Sequence, residues 1–240
     1  MPELTPAQPT ATPLPPTLTQ RLGGLFLAFE GPDGCGKSTQ LRRFVESAKA
    51  SLLTVCEVRE PGGTPIGEEI RKVLLHTKED MSLRCELLLY MASRNQLVEQ
   101  RIKPALAAGQ LVIADRFISS TYAYQGAAAG IPKAEIDAVA GVTLQGCQPD
   151  LVILFDVDTE TALRRTRGIE KVGKKKVAPA TVSLFDDRIE QRGNTFHSKV
   201  RDSYLDQAKS DPARHIVIDA RKDPESVWND FLTALTKRLA

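Results

Sequence analysis

No apolar run in this 240-residue sequence approaches the roughly 18 uninterrupted residues of a membrane-crossing helix, so no membrane partner is expected. It also lacks an excess of either charge: 32 Lys and Arg against 30 Asp and Glu leave a net charge of +2. Bulk nucleic-acid binding calls for a concentrated basic face, so no nucleic-acid partner is expected and the positive charge should act locally, on a small anion. Cysteines are few, and Cys35, Cys56, Cys85 and Cys147 show no metal-ligand spacing, which suits reduced thiols in a cytosol. The first twenty residues lack the basic start and continuous apolar centre of a secretory signal, and they lack the arginines of a transit peptide. Being rich in Pro and Thr and almost uncharged, they read as a disordered extension over residues 1–22 of a cytoplasmic protein. No internal repeat and no linker divides the remainder, so residues 23–240 are expected to form one domain.

What is present is a phosphate-binding signature. Gly31-Pro32-Asp33-Gly34-Cys35-Gly36-Lys37-Ser38 spells G-x-x-x-x-G-K-[ST], directly after the apolar run Leu25–Phe29 and before the amphipathic stretch that begins Ser38-Thr39-Gln40-Leu41. Glycines allow positive φ, so successive N–H groups can wrap a phosphate at the positive end of the following helix. Gly31, Pro32, Asp33, Gly34, Cys35, Gly36, Lys37, Ser38 and Thr39 are therefore the expected ATP-binding loop. Lys37 would serve the β- and γ-phosphates and Ser38 would ligate Mg²⁺. Cys35 has two readings, an oxidation-sensitive thiol and a small side chain filling the loop.

Five short aliphatic runs, Leu25–Phe29, Thr54–Val58, Leu111–Ala114, Leu151–Phe155 and Ile216–Ile218, are separated by helical patterns. That order predicts an α/β fold with a five-stranded parallel sheet covered on both faces. The helices expected are Lys37–Ala50, Pro65–Leu75, Ser82–Ala108, Lys133–Leu144, Thr159–Arg167, Asp187–Ala208 and Pro224–Leu239. Ligands gather at the carboxyl ends of such strands. Arg59, opening the turn Arg59-Glu60-Pro61-Gly62-Gly63-Thr64, and Asp115-Arg116 stand at two of those ends. Asp115 suits Mg²⁺ or its water shell, and the arginines suit a second phosphate or, alternatively, surface ion pairs. Tyr90 and Arg94 share a helix face. They are either a base-stacking ring with a hydrogen-bonding fork or a packed stem with a solvated head.

Together these motifs resemble the thymidylate kinases. The resemblance rests on Gly31–Ser38, Arg59–Thr64, Ala92-Ser93-Arg94, Asp115-Arg116-Phe117 with Ser120–Gly126, Gln148-Pro149-Asp150-Leu151 and Asp187-Arg188-Ile189-Glu190. It implies a P-loop nucleoside monophosphate kinase fold with a mobile lid over about residues 164–186, ATP and dTMP as substrates, Mg²⁺, a homodimer, and transfer of the γ-phosphoryl of ATP to dTMP. Carried onto this sequence, Asp33 would accept from the sugar 3′-hydroxyl, Tyr90 stack on thymine and Arg94 bond its O4. Thr121 and Gln125 would lie along the base edge and Tyr124 would crowd the 2′ position. Arg59 and Arg116 would hold the monophosphate beside Pro61. The catalytic set so implied is Lys37, Asp115, Arg116 and the lid arginines Arg164, Arg165 and Arg167. The sequence departs from the family in placing Tyr90 where Phe is usual, and Gly34 leaves the phosphate loop without an arginine, so the lid is expected to supply that charge. Another nucleoside monophosphate or deoxynucleoside kinase, a non-nucleotide small-molecule kinase and a P-loop switch are the alternatives.

Overall fold

Strand β1 (Phe26–Glu30) is buried along its whole length, and its side chains divide by parity. Phe26 and Ala28 enter one hydrophobic cluster, Leu27 and Phe29 another, because successive side chains of a strand point to opposite faces. A strand apolar on both faces needs cover on both, which is the condition of a parallel sheet. A computed structural model describes residues 11–166 and 193–240. Among these, β1, β2 (Val55–Arg59), β3 (Leu111–Asp115), β4 (Leu151–Asp156) and β5 (His215–Asp219) form one sheet in the order β2-β3-β1-β4-β5. Every neighbouring pair is parallel. The register sets Arg59 opposite Asp115 and Asp115 opposite Phe29, so three strands deliver their carboxyl ends to one level.

The helices in chain order are α1 (Pro16–Leu22), α2 (Lys37–Ala50), α3 (Pro65–His76), α4 (Leu83–Leu97), α5 (Lys103–Ala107), α6 (Ile118–Thr121), α7 (Lys133–Leu144), α8 (Thr159–Thr166), α9 (Asn194–Ser210) and α10 (Pro224–Leu239). On one face Phe29 meets Phe44 of α2 at 5.8 Å between ring centroids and Phe231 of α10 at 5.5 Å. On the other, Phe26 packs edge-on against Phe117 at 5.0 Å, beside Leu87 and Met91 of α4. Each such side chain stabilises the fold by about 1.5–3 kcal/mol, which fixes the strand ends that carry the site.

Three expectations are corrected. The pattern from Ser82 to Ala108 is not one α-helix: a π-helical turn at Val98–Ile102 separates α4 from α5. Pro104 has no N–H, and its ring crowds the preceding turn, which the wider turn accommodates. Between Ile118 and Ala128, where no helix was expected, α6 runs into a second π-helical turn at Tyr122–Ala128. Finally, the reading of residues 1–22 as disordered fails for the part described. Leu14, Leu18 and Leu22 recur every four residues, α1 starts with Pro16 in its first turn, and all three leucines are buried in the core cluster that includes Trp228 and Phe231. The Leu14 N–H donates to Ser51 Oγ at 2.7 Å. Residues 1–10 lie outside the described residues. So do Arg167, the greater part of the expected lid over 164–186, and Asp187-Arg188-Ile189-Glu190.

Candidate active site

The end of β1 and the start of α2 frame the glycine-rich loop. Gly34 has φ +80°, and a Cβ there would overlap the carbonyl oxygen of Ala162 in α8, so only glycine fits. The same contact explains why an arginine cannot occupy this loop position. Gly36, with φ +86°, caps α2, whose first residue is Lys37. Free N–H groups of that first helical turn, together with the helix dipole, form an anion site. Lys37 is buried and ion-paired with Asp115 at the end of β3. Burial alone would raise the Asp115 pKa, but Lys37, Arg116 and Arg59 outweigh it and hold the carboxyl below its ordinary range. Ser38 and Thr39 are exposed at the start of α2. Among the described residues no group of three or more His, Cys, Asp or Glu side chains could hold a metal by itself. The donor set still fits Mg²⁺, which keeps several waters and takes one or two protein oxygens plus phosphate.

Arg116 follows β3 in the left-handed region at φ +71°, a conformation that costs an arginine of order 1–3 kcal/mol and persists only when surroundings over-determine it. Its guanidinium is correspondingly well held. It donates to Asp33 at 2.5 Å, the Gly31 carbonyl at 3.0 Å, and Ser120 Oγ and Tyr204 Oη at 3.2 Å each. Beneath it lies Glu30, a residue the sequence reading passed over. Glu30 accepts from the Phe117 N–H and Ser120 Oγ at 2.7 Å each and from Tyr204 Oη at 3.1 Å. Burial pushes its pKa up, against the opposing pull of Arg116. A carboxylate ending an apolar run immediately before a glycine loop was the available signal. Tyr204, contributed by the distant helix α9, had none.

Next to Arg116 opens a cleft of about 360 Å³ lined by Asp33, Glu60, Pro61, Tyr90, Arg94, Arg116, Ser120, Thr121, Tyr124 and Gln125. Eight of the nine side chains expected on the acceptor side thus converge. The ninth, Arg59, does not line the cleft: it makes a two-oxygen contact with Glu68 at 2.8 and 2.9 Å, because Glu68 also receives the Gly63 N–H of the same turn. Arg71 instead lies buried behind the turn, donating to the Pro61 carbonyl at 2.6 Å, where Tyr90 and Asp115 feel its charge. Nothing in the sequence singled out Arg71.

Arg94 also differs from its expected posture. Its Nε donates to Glu60 at 2.7 Å, Nη1 to Thr121 Oγ1 at 3.0 Å and Met91 Sδ at 3.3 Å, and Nη2 to the Phe117 carbonyl at 3.2 Å and, in the ion pair, Glu60 at 2.5 Å. Four hydrogen bonds and an ion pair thus hold the guanidinium. Thr121, whose hydroxyl oxygen accepts from Arg94, lines the cleft beside it. Tyr124 Oη reaches Asp33 Oδ2 at 3.3 Å, and Gln125 Nε2 donates to Glu86 at 2.9 Å. Tyr90 is buried, and burial with nearby Glu86 raises its pKa, keeping the phenol protonated.

The lid arginines separate. Arg164 is exposed on α8, Arg165 donates to the carbonyls of Ala220 at 2.8 Å and Arg221 at 3.3 Å in the β5–α10 connection, and Arg167 lies outside the described residues. Arg165 is thus directed at a loop and not at the phosphate loop. No helix among the described residues is long and apolar enough to cross a membrane.

A family model described as thymidylate kinase matches residues 29–231. Thymidylate kinase from Caldanaerobacter subterraneus is 39% identical over 216 residues, covering 90% of this chain and 97% of that protein. The Enterococcus faecalis thymidylate kinase is 41% identical over 217 residues, with 90% and 97% covered. A crystal structure of thymidylate kinase from Ehrlichia chaffeensis superimposes with a TM-score of 0.67 at 30% identity, covering 89% of this chain and 98% of the other. Parallel sheet, phosphate loop, acceptor cleft and these matches agree, and the chain belongs to the thymidylate kinase family.

Proposed function

We propose that this chain transfers the γ-phosphoryl group of ATP to dTMP, producing dTDP and ADP for DNA synthesis. The observation that carries the reading is the meeting of a phosphate loop with an acceptor cleft at one ion pair, Arg116–Asp33. Lys37 and the α2 N-terminus take the donor phosphates. Ser38 and Asp115 would hold Mg²⁺, which supplies charge neutralisation across the β- and γ-phosphates. Arg116 takes the acceptor phosphate, Arg71 adds positive charge from behind the Pro61 turn, and Arg59 steadies that turn. Tyr90 stacks on the base, Tyr124 stands against the 2′ position and Asp33 accepts from the 3′-hydroxyl. Thr121, its oxygen already accepting a hydrogen bond from Arg94, donates its hydroxyl to O4. The acceptor phosphate is itself an anion, so no general base is needed: positioning two anions in line and excluding water does the work. Arg164 and Arg167 are assigned to charge over the transferring group, and Arg165 to holding the β5–α10 loop. The protein acts in the cytoplasm as a homodimer, a reading supported by apolar Ile66 and Val73 of α3 and Leu83 and Leu88 of α4, all exposed in the single chain. Lys37→Ala is expected to abolish turnover while dTMP binding stays within a few-fold of the parent. Substantial retained activity in that variant overturns the donor-side assignment.

A further inference from the structure

Gln125 has two ends of nearly equal shape and opposite chemistry, an oxygen that accepts and an NH₂ that donates, and only its partners decide which faces the cleft. Its Nε2 donates to Glu86 Oε1 at 2.9 Å, and both side chains are buried. Glu86 belongs to α4, one turn before Tyr90 and two before Arg94, so all three share a helix face. It does not line the cleft, whereas Gln125 does. A carboxylate accepts and does not donate; a turned amide would set oxygen against oxygen. Among the described residues the Gln125 carbonyl oxygen has no protein partner, and it is not among the buried atoms sealed without one.

We infer that Glu86 is a positioning residue that fixes the Gln125 amide with its oxygen toward the base, so that this point of the cleft accepts an N–H. The inference rests on the cleft's assignment to a pyrimidine nucleotide. A 4-keto pyrimidine offers O4 as acceptor beside N3–H as donor, complementary to the Thr121 hydroxyl and the Gln125 oxygen. A 4-amino pyrimidine has a bare N3 at that point and sets acceptor against acceptor at the Gln125 oxygen. A site built to pair a particular N–H rejects the analogue lacking it, because its own buried group is left unpaired. Glu86 therefore sets the polarity of base recognition without touching the base.

The test is calorimetric binding of dTMP and dCMP to the full chain, to Glu86→Gln, and to the exchanged pair Glu86→Gln/Gln125→Glu. Glu86→Gln keeps the shape but lets either amide end face inward, and the preference for dTMP over dCMP is expected to fall at least about tenfold. In the exchanged pair the carboxylate at 125 is held by the amide at 86 and still turns an oxygen to the cleft. It should recover to within about threefold of the parent. N3-methyl-dTMP should bind the unmodified protein at least about tenfold more weakly than dTMP, a reading that does not depend on any variant folding. The inference is overturned by an unchanged preference in Glu86→Gln, by equal weakening of both nucleotides with no recovery in the exchanged pair, or by undiminished binding of the N3-methyl compound. Binding of neither dTMP nor dCMP by the parent would overturn the functional reading itself, and this inference with it.

Discussion

Arg94 and Glu60 carry opposite charges into a region almost closed to water, with side-chain exposures of 2% and 3%. Breaking such a pair from one side leaves an unpaired buried charge, which costs far more than the pair contributes. Arg94→Ala is therefore expected to lower stability by about 3–5 kcal/mol, read as a fall in denaturation midpoint. It should also weaken dTMP binding by ten- to over a hundredfold, about 1–3 kcal/mol, with little change in the ATP requirement. Equal effects on both substrates would contradict its place in the acceptor site. Glu60 itself is pushed up by burial to about 7 despite Arg94, from an ordinary 4.5, and its second oxygen is buried without a partner among the described residues. Below pH 4.5 the group is protonated in both states. As pH rises from about 4.5 the unfolded chain releases this proton more readily than the folded protein does, so the stability the pair contributes falls as pH rises toward 7. Glu60→Gln is expected to flatten that part of the stability–pH curve, which urea unfolding at a series of pH values would read. At this scale the sequence disclosed which residue types meet, since Tyr90 and Arg94 are one helical turn apart. It could not disclose how Arg94 is held, because its partners Glu60, Phe117 and Thr121 are 34, 23 and 27 residues away.

The elements tell a similar story with a different cause. α2, α7 and α10 lie where the helical patterns put them, α10 with the Asp223 side chain capping its first turn. α1 escaped notice because Pro and Thr dominate its surroundings and its apolar stripe is a single line of leucines. That line nevertheless closes the core over α10, next to Trp228 and Phe231. A chain starting at Gly23 is expected to lose several kcal/mol of stability, since each of three buried leucines stabilises by about 1.5–3 kcal/mol. Leu18→Ala alone should cost about 2–5 kcal/mol. Because α1 lies on the face of the sheet that Leu27 and Phe29 enter, and none of its residues line the acceptor cleft, the truncated protein should keep its kcat/KM within about twofold below its melting transition. A truncated chain with an unshifted thermal midpoint would show that the leucine contacts contribute nothing.

Across the whole molecule, legibility follows the range of the interaction. The parallel sheet was readable because five short apolar runs separated by helices have few other ways to bury two faces, and the phosphate loop was readable because its geometry is dictated within eight consecutive residues. Arg71 and Tyr204 were not, since each matters only through where the fold carries it: Arg71 behind the Arg59–Thr64 turn, Tyr204 across the sheet from α9 onto Arg116. Nor could the sequence disclose that Arg59 pairs with Glu68, a partner set by the turn's own backbone. These placements converge on one chemical claim, that the cleft accepts a 4-keto pyrimidine deoxynucleoside monophosphate and presents it to ATP. The most direct measurement is coupled ADP release with ATP and Mg²⁺ across dTMP, dUMP, dCMP, dGMP and thymidine. The expected result is turnover with the 4-keto acceptors, dTMP foremost, well above dCMP and dGMP, and none with thymidine, which lacks the phosphate that Arg116 would hold. ADP release at the same slow rate with and without each acceptor, or a preference for dCMP or dGMP over dTMP, would contradict it.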